Sequence, residues 1–274
     1  MAHSLPTTHL NNDQFEARIL HQGAQLLSFV PSGQKDWIFN NPNTPFEPEK
    51  EIYGGVPLVF PWFNLLIGHE DEAPNHGFAR SAVWKFGRHN SDLSKRVYFL
   101  LSSEMVCEQG LASPHWNFEF AARMQFIFSD KKLDLRLDVQ NNFEQTMRFE
   151  CAFHTYFAVS DVRQTVVEGL PDGVWLGRAE VAPGKALQFP PFGARLFANS
   201  GGSVRIREPE RTFRLKNIKG WRSTVVWNPG QAMEDIQGDD WTRFVCVEAG
   251  ALRENAVELA PHQSYALNIE ISVS

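Results

Sequence analysis

Glu248 is the acidic residue whose sequence surroundings most favour a chemical role. It follows the apolar run Phe244–Val247, where a carboxylate is costly to desolvate unless it is paired or lies in a cleft. Other acidic residues stand in polar runs, namely Glu51, its acidic neighbours from position 47, and those at 70–72. Those acids are most simply interpreted as solvated surface charge, which leaves Glu248 as the candidate proton acceptor.

His154 is the candidate partner of Glu248. It lies in the aromatic segment Cys151–Phe157, where strand alternation would place Ala152, His154 and Tyr156 on one face. A histidine among aromatic residues is most often a hydrogen-bonded core residue, although an imidazole pKa near neutrality also permits acid or base catalysis. A nearby carboxylate would favour the protonated imidazole.

A carboxylate and an imidazole together suit a reaction that consists of proton transfers. The interconversion of sugar anomers is such a reaction. A base removes the proton of the anomeric hydroxyl, an acid protonates the ring oxygen, and the ring opens and recloses on the other carbonyl face. Each positioned proton transfer contributes about 10²–10⁴-fold to the rate.

A third group of polar residues lies in a region rich in glycine and proline. Tyr53 begins the segment 53–63, and His76 and Arg80 belong to Asn75–Arg80. Glycine and proline predict a loop with unusual backbone angles, and loops held by a rigid sheet often carry binding residues. The alternative is a packed irregular crossover in which His76 only bonds a carbonyl group.

Composition argues against several functional classes. The 274 residues carry a net charge of −6 with a pI near 5.9, unlike a basic nucleic-acid-binding surface. No signal peptide or membrane span is apparent. The cysteines Cys107, Cys151 and Cys246 are far apart and lack paired zinc spacing. We expect a cytoplasmic protein with no nucleic-acid or membrane partner and no metal or nucleotide cofactor; the sequence indicates no protein partner.

The elements that must position these residues are strands. Apolar and polar residues alternate over 133–139 and 265–273, which predicts strands with one buried face. Shorter strand-like runs occur at 97–101, 204–207, 213–215, 225–227 and 244–247. Many short strands separated by glycine, proline and asparagine predict an all-β antiparallel sandwich or barrel. No linker or repeat divides the chain, so we expect one domain, 1–274.

Five short segments resemble a known family. They are Gly54–Pro61, His76–Arg80, Phe153–Phe157, Val225–Pro229 and Val245–Gly250. Any one of them is a weak signal, but the ordered set is specific and spans most of the chain. Together they resemble the hexose-6-phosphate mutarotase (glucose-6-phosphate 1-epimerase) branch of the aldose 1-epimerase superfamily.

The resemblance implies a large galactose-mutarotase-like β-sandwich with its site in a concave face. It also implies that the partner is a sugar or sugar phosphate and that no cofactor is needed. Glu248 would be the general base and His154 the general acid. His76 would bind sugar hydroxyls near the ring oxygen, and Arg80 would support the site or contact the substrate.

Several positions depart from the family pattern near the expected substrate. Tyr53 stands where the family usually has arginine, and Gly177 stands where it often has aspartate. We still expect Tyr53 and Arg195 to contact the substrate. If the substrate carries a phosphate, the expected partners are Arg80, then Arg195, then Arg178.

Other functions remain open at this point. The changes at positions 53 and 177 would suit a mutarotase for another sugar, or a non-catalytic sugar-sensing or protein-binding module. A metal enzyme could use His76, His154 and Glu248 as two histidines and one carboxylate, although their spacing is unlike that of common metal sites. A two-carboxylate glycosidase is disfavoured because Glu248 alone has site-like apolar surroundings.

Overall fold

The computed structural model describes residues 5–42, 44, 47, 51–88, 95–171, 174–175, 187–188, 193–198 and 200–274. Within these ranges strands dominate, and no helix is both long enough and apolar enough to cross a bilayer. The strands are β1 (Thr7–Asn11), β2 (Phe15–Leu20), β3 (Gln25–Pro31), β4 (Leu58–Val59), β5 (Lys85–Arg88), β6 (Arg96–Ser102), β7 (Phe120–Phe128), β8 (Lys132–Asn141), β9 (Met147–Phe149), β10 (Cys151–Ala158), β11 (Val166–Glu168), β12 (Val174–Trp175), β13 (Leu187–Gln188), β14 (Gly193–Ala198), β15 (Ser203–Arg207), β16 (Thr212–Lys219), β17 (Ser223–Asn228), β18 (Phe244–Ala251), β19 (Val257–Leu259) and β20 (Ser264–Val273). The helical segments in the same ranges are α1 (Ser103–Glu108) and the 3-10 turns Val162–Gln164, Asp240–Arg243 and Arg253–Asn255.

Alternation of apolar and polar residues accounts for the two long strands β8 and β20. In β8, Leu133, Leu135, Leu137 and Val139 are fully buried, while the residues between them are partly exposed. β20 lies antiparallel beside β8 and places Leu267 opposite Leu137. Side chains that alternate in this way give one core face and one wet face. Both predicted strands are confirmed.

Two large antiparallel sheets form the body of the molecule. In the described residues one sheet has the order β13-β11-β15-β16-β20-β8-β7-β6-β5, and the other has the order β12-β14-β17-β18-β10-β4. A single hydrophobic cluster contains Leu135 and Ile269 of the larger sheet and Phe153 and Val247 of the smaller sheet. The sheets therefore pack face to face, which confirms the predicted all-β antiparallel sandwich.

The central strands of the smaller sheet are covered on both faces. Nearly every residue of β10 and β18 is buried. Phe153 and Val247 face the core between the sheets, so their sequence neighbours His154 and Glu248 face the opposite side. The segment Gly54–Pro57, which leads into β4, runs along the side of β10 that faces away from β18, and there the carbonyl of Pro57 accepts a hydrogen bond from the His154 N–H at 2.9 Å. This outer face of the smaller sheet carries the candidate site.

Candidate active site

His154 and Glu248 lie opposite each other on adjacent antiparallel strands. The β10–β18 register pairs the two residues directly. Because the His154 N–H bonds the carbonyl of Pro57 on the other side of β10, the pair with Glu248 is of the non-hydrogen-bonded type, in which cross-strand side chains come closest. Nε2 of His154 is 3.2 Å from Oε1 of Glu248. The two residues that the sequence singled out for acid/base chemistry are thus in direct contact.

Burial controls the protonation of this pair. Burial, with a smaller contribution from the Arg80 charge, lowers the pKa of His154 to about 3. Burial also raises the pKa of Glu248 well above its usual range, and the Arg80 charge only partly opposes this. Desolvation disfavours both charged forms, so it outweighs the expected effect of Glu248 on the imidazole. The favoured state of the pair is therefore a neutral imidazole beside a protonated carboxyl, so the nearness of Glu248 does not by itself keep His154 protonated.

Each member of the pair also has an unsatisfied polar atom. Nδ1 of His154 and Oε2 of Glu248 are buried and have no hydrogen-bond partner among the described residues. Buried polar atoms in proteins almost always have a partner, and leaving one without costs about 1–3 kcal/mol. Each residue of the pair therefore keeps hydrogen-bonding capacity that no described protein group uses.

Aromatic side chains form one wall of the cleft, which has a volume of about 230 Å³. The Tyr156 ring stacks on the His154 ring, with centroids 5.1 Å apart and an interplanar angle of 18°. Trp227 of β17 stands edge-on to His154 at 6.1 Å. Phe63 lines the cleft as well. Such rings present flat apolar surfaces, which suit the C–H faces of a sugar.

His76 lies across the cleft from His154, and their rings are edge-on with centroids 5.7 Å apart. Its Nδ1 accepts a hydrogen bond from the Asn64 N–H at 3.1 Å. Burial lowers the pKa of His76 well below its usual value, and the nearby positive charge of Arg80 adds to this effect. The ring is therefore neutral, and because Nδ1 accepts, the proton resides on Nε2. His76 can donate one hydrogen bond from Nε2.

The backbone of His76 explains part of the local sequence. His76 and Gly77 both have positive φ, 60° and 78° respectively. A Cβ atom on Gly77 would lie 2.1 Å from the carbonyl oxygen of Phe60, so only glycine fits there. The His-Gly pair thus makes the tight bend that turns His76 into the cleft.

Arg80 also lines the cleft, but its charge is balanced. Its Nη2 forms an ion pair with Glu51 and donates to the carbonyl of Asn75 at 2.6 Å. Glu51 itself lines the cleft, so its interpretation as solvated surface charge was wrong. Tyr53 lines the same wall. Burial and the charge of Glu51 raise the pKa of Tyr53, which keeps its hydroxyl neutral and able to donate.

Arg195 does not join the residues that line the cleft. Strand alternation in β14 places Ala194 at the cleft and turns Arg195 to the opposite face of the sheet. The Arg195 side chain is almost fully buried, and its guanidinium lies 4.9 Å from the centroid of the Phe197 ring. This placement is at odds with the expected contact between Arg195 and the substrate. Arg178 and Gly177 lie outside the described residues.

Glu150 is a functional candidate that the sequence analysis missed. Its buried carboxylate accepts hydrogen bonds from the N–H groups of Phe63 at 2.9 Å and Arg253 at 2.5 Å. It thereby fixes the start of the segment that leads through Asn64 to His76. The sequence feature that indicated Glu248 could also have indicated Glu150. This glutamate interrupts an apolar stretch as well, between Phe149 and Cys151.

The described residues bring three potential metal ligands together at one place. Ligand atoms of His69, Glu72 and His115 lie within 4.8 Å of one another. This cluster lies outside the cleft lining. His76, His154 and Glu248 do not form such a group in the described part of the chain.

The sequence of this chain is similar to those of known proteins. A family model described as aldose 1-epimerase matches residues 6–272. A protein of Salmonella typhimurium named "Putative glucose-6-phosphate 1-epimerase" is 29% identical over 249 residues, covering 87% of this chain and 81% of that protein. One of Escherichia coli with the same name is 30% identical over 258 residues, covering 89% of this chain and 83% of that protein.

Solved structures give a similar result. The crystal structure of a "putative mutarotase" from Salmonella typhimurium has a TM-score of 0.82 at 24% identity, covering 99% of this chain and 91% of that one. That of a galactose 1-epimerase from Lactobacillus acidophilus has a TM-score of 0.70 at 14% identity, covering 99% of both chains. These likenesses establish a shared galactose-mutarotase-like fold.

Proposed function

Because the chain belongs to the aldose 1-epimerase family and is an epimerase that acts on carbohydrates, we propose that it interconverts the α and β anomers of a hexose 6-phosphate. The observation that carries this proposal is the buried contact of 3.2 Å between His154 and Glu248. An acid and a base in contact on one wall of a cleft can act together on the ring oxygen and the anomeric hydroxyl of a sugar. Both oxygens are bonded to C1, and anomer interconversion requires a proton transfer at each.

In the proposed reaction the proton of the pair first lies on His154 and Glu248 is a carboxylate. Glu248 takes the proton of the anomeric hydroxyl, while the imidazolium of His154 gives its proton to the ring oxygen. The bond between C1 and the ring oxygen breaks, and the open-chain aldehyde forms. Rotation about C1–C2 then turns the aldehyde, and the reverse transfers close the ring on its other face. The pair has the same protons at the end as at the start.

The lowered pKa of His154 and the raised pKa of Glu248 favour one particular stage of this cycle. After ring opening, His154 is neutral and Glu248 is protonated. Burial favours that state, because it lowers the pKa of His154 and raises that of Glu248. The site therefore favours the protonation state that accompanies the open-chain sugar, which lowers the energy of this intermediate relative to the closed-ring state with its buried ion pair.

The remaining cleft residues position the sugar in this proposal. His76 donates from Nε2 to a sugar oxygen, and Tyr53 donates from its neutral hydroxyl. Tyr156 and Trp227 hold the apolar face of the ring against His154. None of these residues needs to change its protonation, which leaves the proton transfers to His154 and Glu248.

A phosphate on the substrate is supported by the names of the relatives, and its charge needs a cationic partner. Arg80 is the candidate, although a phosphate must share it with Glu51. A second candidate substrate is an unphosphorylated hexose. The balanced charge of Arg80 and the placement of Arg195 on the other face favour it.

Anomer exchange rates for glucose 6-phosphate and glucose, measured by NMR under identical conditions, test the proposal. We expect kcat/KM to be at least ~10-fold higher for glucose 6-phosphate, which corresponds to about 1.4 kcal/mol of differential transition-state binding. Equal values of kcat/KM for the two sugars would favour the second candidate substrate, an unphosphorylated hexose. No acceleration of either sugar would refute anomer interconversion of both.

A further inference from the structure

A cluster of two histidines and one carboxylate lies outside the cleft, and we propose that it binds a divalent transition-metal ion of the zinc class. The cluster consists of His69, Glu72 and His115. Nε2 of His115 is 2.6 Å from Oε2 of Glu72, and Nδ1 of His69 is 3.9 Å from Oε1 of Glu72. The two imidazole rings are stacked, with centroids 3.5 Å apart and an interplanar angle of 15°.

The ligand types match this class of ion. Imidazole nitrogen suits zinc, copper and nickel, whereas magnesium and calcium prefer oxygen ligands alone. A zinc ion binds such atoms at about 2.0–2.2 Å and often keeps water at its remaining positions. The ligand atoms already lie within 4.8 Å of one another. Two parallel rings cannot both direct a nitrogen lone pair at one ion, so one imidazole must rotate when the ion binds. The side chains of His69 and Glu72 are 39% and 63% exposed, which leaves space for this rotation.

A simple ion pair explains this arrangement less well. Glu72 could pair with His115 alone, since Nε2 of His115 lies 2.6 Å from Oε2 of Glu72. However, a second imidazole also lies beside the carboxylate, with Nδ1 of His69 3.9 Å from Oε1 of Glu72 and the two ring centroids 3.5 Å apart. A metal ion instead uses both rings in the neutral form. It therefore accounts for the second histidine, which an ion pair does not need.

The cluster joins two distant parts of the chain. His69 and Glu72 lie on one turn, where the Glu72 N–H bonds the carbonyl of His69 at 3.1 Å. His115 comes from the segment that follows α1. The turn is part of the loop between Asn64 and His76, both of which line the cleft. A bound ion would tie the middle of this loop to the body of the protein, and this inference holds whatever sugar the cleft takes.

Zinc titration of the full-length, EDTA-treated protein by isothermal calorimetry tests this site. The background is Cys107→Ser, so that the exposed thiol of Cys107 makes no contribution. We expect one zinc ion per chain and no binding of magnesium at the same concentration. His115→Asn and Glu72→Gln should each weaken zinc binding at least ~10-fold, since metal sites lose 10–100-fold even when a supporting residue is removed.

The matched control is His262→Asn. Nε2 of His262 lies 3.4 Å from Oε1 of Glu144 at the surface, but this pair has no third ligand among the described residues. Zinc should raise Tm in the parent and in His262→Asn, but not in His115→Asn or Glu72→Gln. The proposal is overturned by an absence of stoichiometric zinc binding or by unchanged affinity in both cluster variants. If one cluster variant fails to fold, the other decides the outcome.

Discussion

Nε2 of His154 lies 3.2 Å from Oε1 of Glu248, across adjacent strands on a face of the sheet that is almost fully buried. This burial makes both charged forms costly and leaves one proton to be shared between the two residues. Such a pair can give a proton to one sugar oxygen while it takes a proton from another. The following predictions test this arrangement and the cleft around it.

The first prediction concerns the pH dependence of stability. The pKa of Glu248 is raised above its unfolded value, so above about pH 4.5 the unfolded chain ionises this group while the folded protein keeps it protonated. Its contribution to the free energy of unfolding therefore falls as the pH rises. Glu248→Gln cannot ionise, and we expect its Tm to exceed the wild-type Tm by an amount that grows from pH 5 to pH 8.

Thermal unfolding across this pH range measures the effect. Glu258→Gln, which changes an exposed glutamate of β19, is the control and should leave Tm little changed. A Tm difference between Glu248→Gln and wild type that shrinks towards pH 8 would contradict the raised pKa.

The second prediction concerns His154 directly. Because burial lowers its pKa to about 3, its ring should not titrate between pH 5 and pH 8 in the unliganded protein. An NMR titration of the imidazole resonances, assigned by their loss in His154→Asn, gives the result. A midpoint near pH 6.5 would show that the ring is not desolvated as described.

The third prediction concerns the partner of a phosphate. Glu51→Gln removes the anion that balances Arg80 and leaves the guanidinium for the substrate. If Arg80 binds the phosphate, the preference for glucose 6-phosphate over glucose in kcat/KM should rise by at least ~3-fold, because removing a competing charge is worth about 1 kcal/mol near a surface. An unchanged preference in the folded variant would argue against Arg80 as the phosphate partner.

The fourth prediction concerns Glu150. Its two carboxylate oxygens accept from the N–H groups of Phe63 and Arg253, and the amide of Glu150→Gln can satisfy only one of them. We expect a loss of about 1–3 kcal/mol in the free energy of unfolding. We also expect a larger change in KM than in kcat, because Glu150 acts through the position of the His76 loop.

Steady-state exchange kinetics separate KM from kcat for this variant. Glu254→Gln alters an exposed glutamate beside Arg253 and serves as the matched control. Wild-type KM and stability in Glu150→Gln would show that the carboxylate does not position the loop.

The sequence predicts the fold class well because alternation is a local property. The strands β8 and β20 follow from their apolar and polar residues alone. Glu248 and His154 could be named as candidates because each interrupts an apolar run. Their contact could not be derived in the same way, since it depends on a strand register between positions 94 residues apart.

Two expectations were incorrect because the sequence did not show what surrounds the side chain. Arg195 was expected to contact the substrate, but strand alternation in β14 turns its side chain to the other face of the sheet. Ala194 took the place at the cleft. Glu51 was interpreted as solvated surface charge because its sequence neighbours are polar. Its ion-pair partner Arg80 lies 29 residues later in the chain. The face that each residue of β14 occupies decided the first case, and a tertiary ion pair that local sequence does not contain decided the second.

The most direct test of the central claim is the rate of anomer exchange in Glu248→Gln. Glutamine keeps the size of the side chain but cannot take a proton, so exchange of glucose 6-phosphate above the uncatalysed rate should fall by at least ~10², while Glu258→Gln keeps wild-type activity. NMR exchange spectroscopy on the equilibrated anomers measures both rates. Exchange at the wild-type rate in folded Glu248→Gln would contradict the assignment of Glu248 as the base.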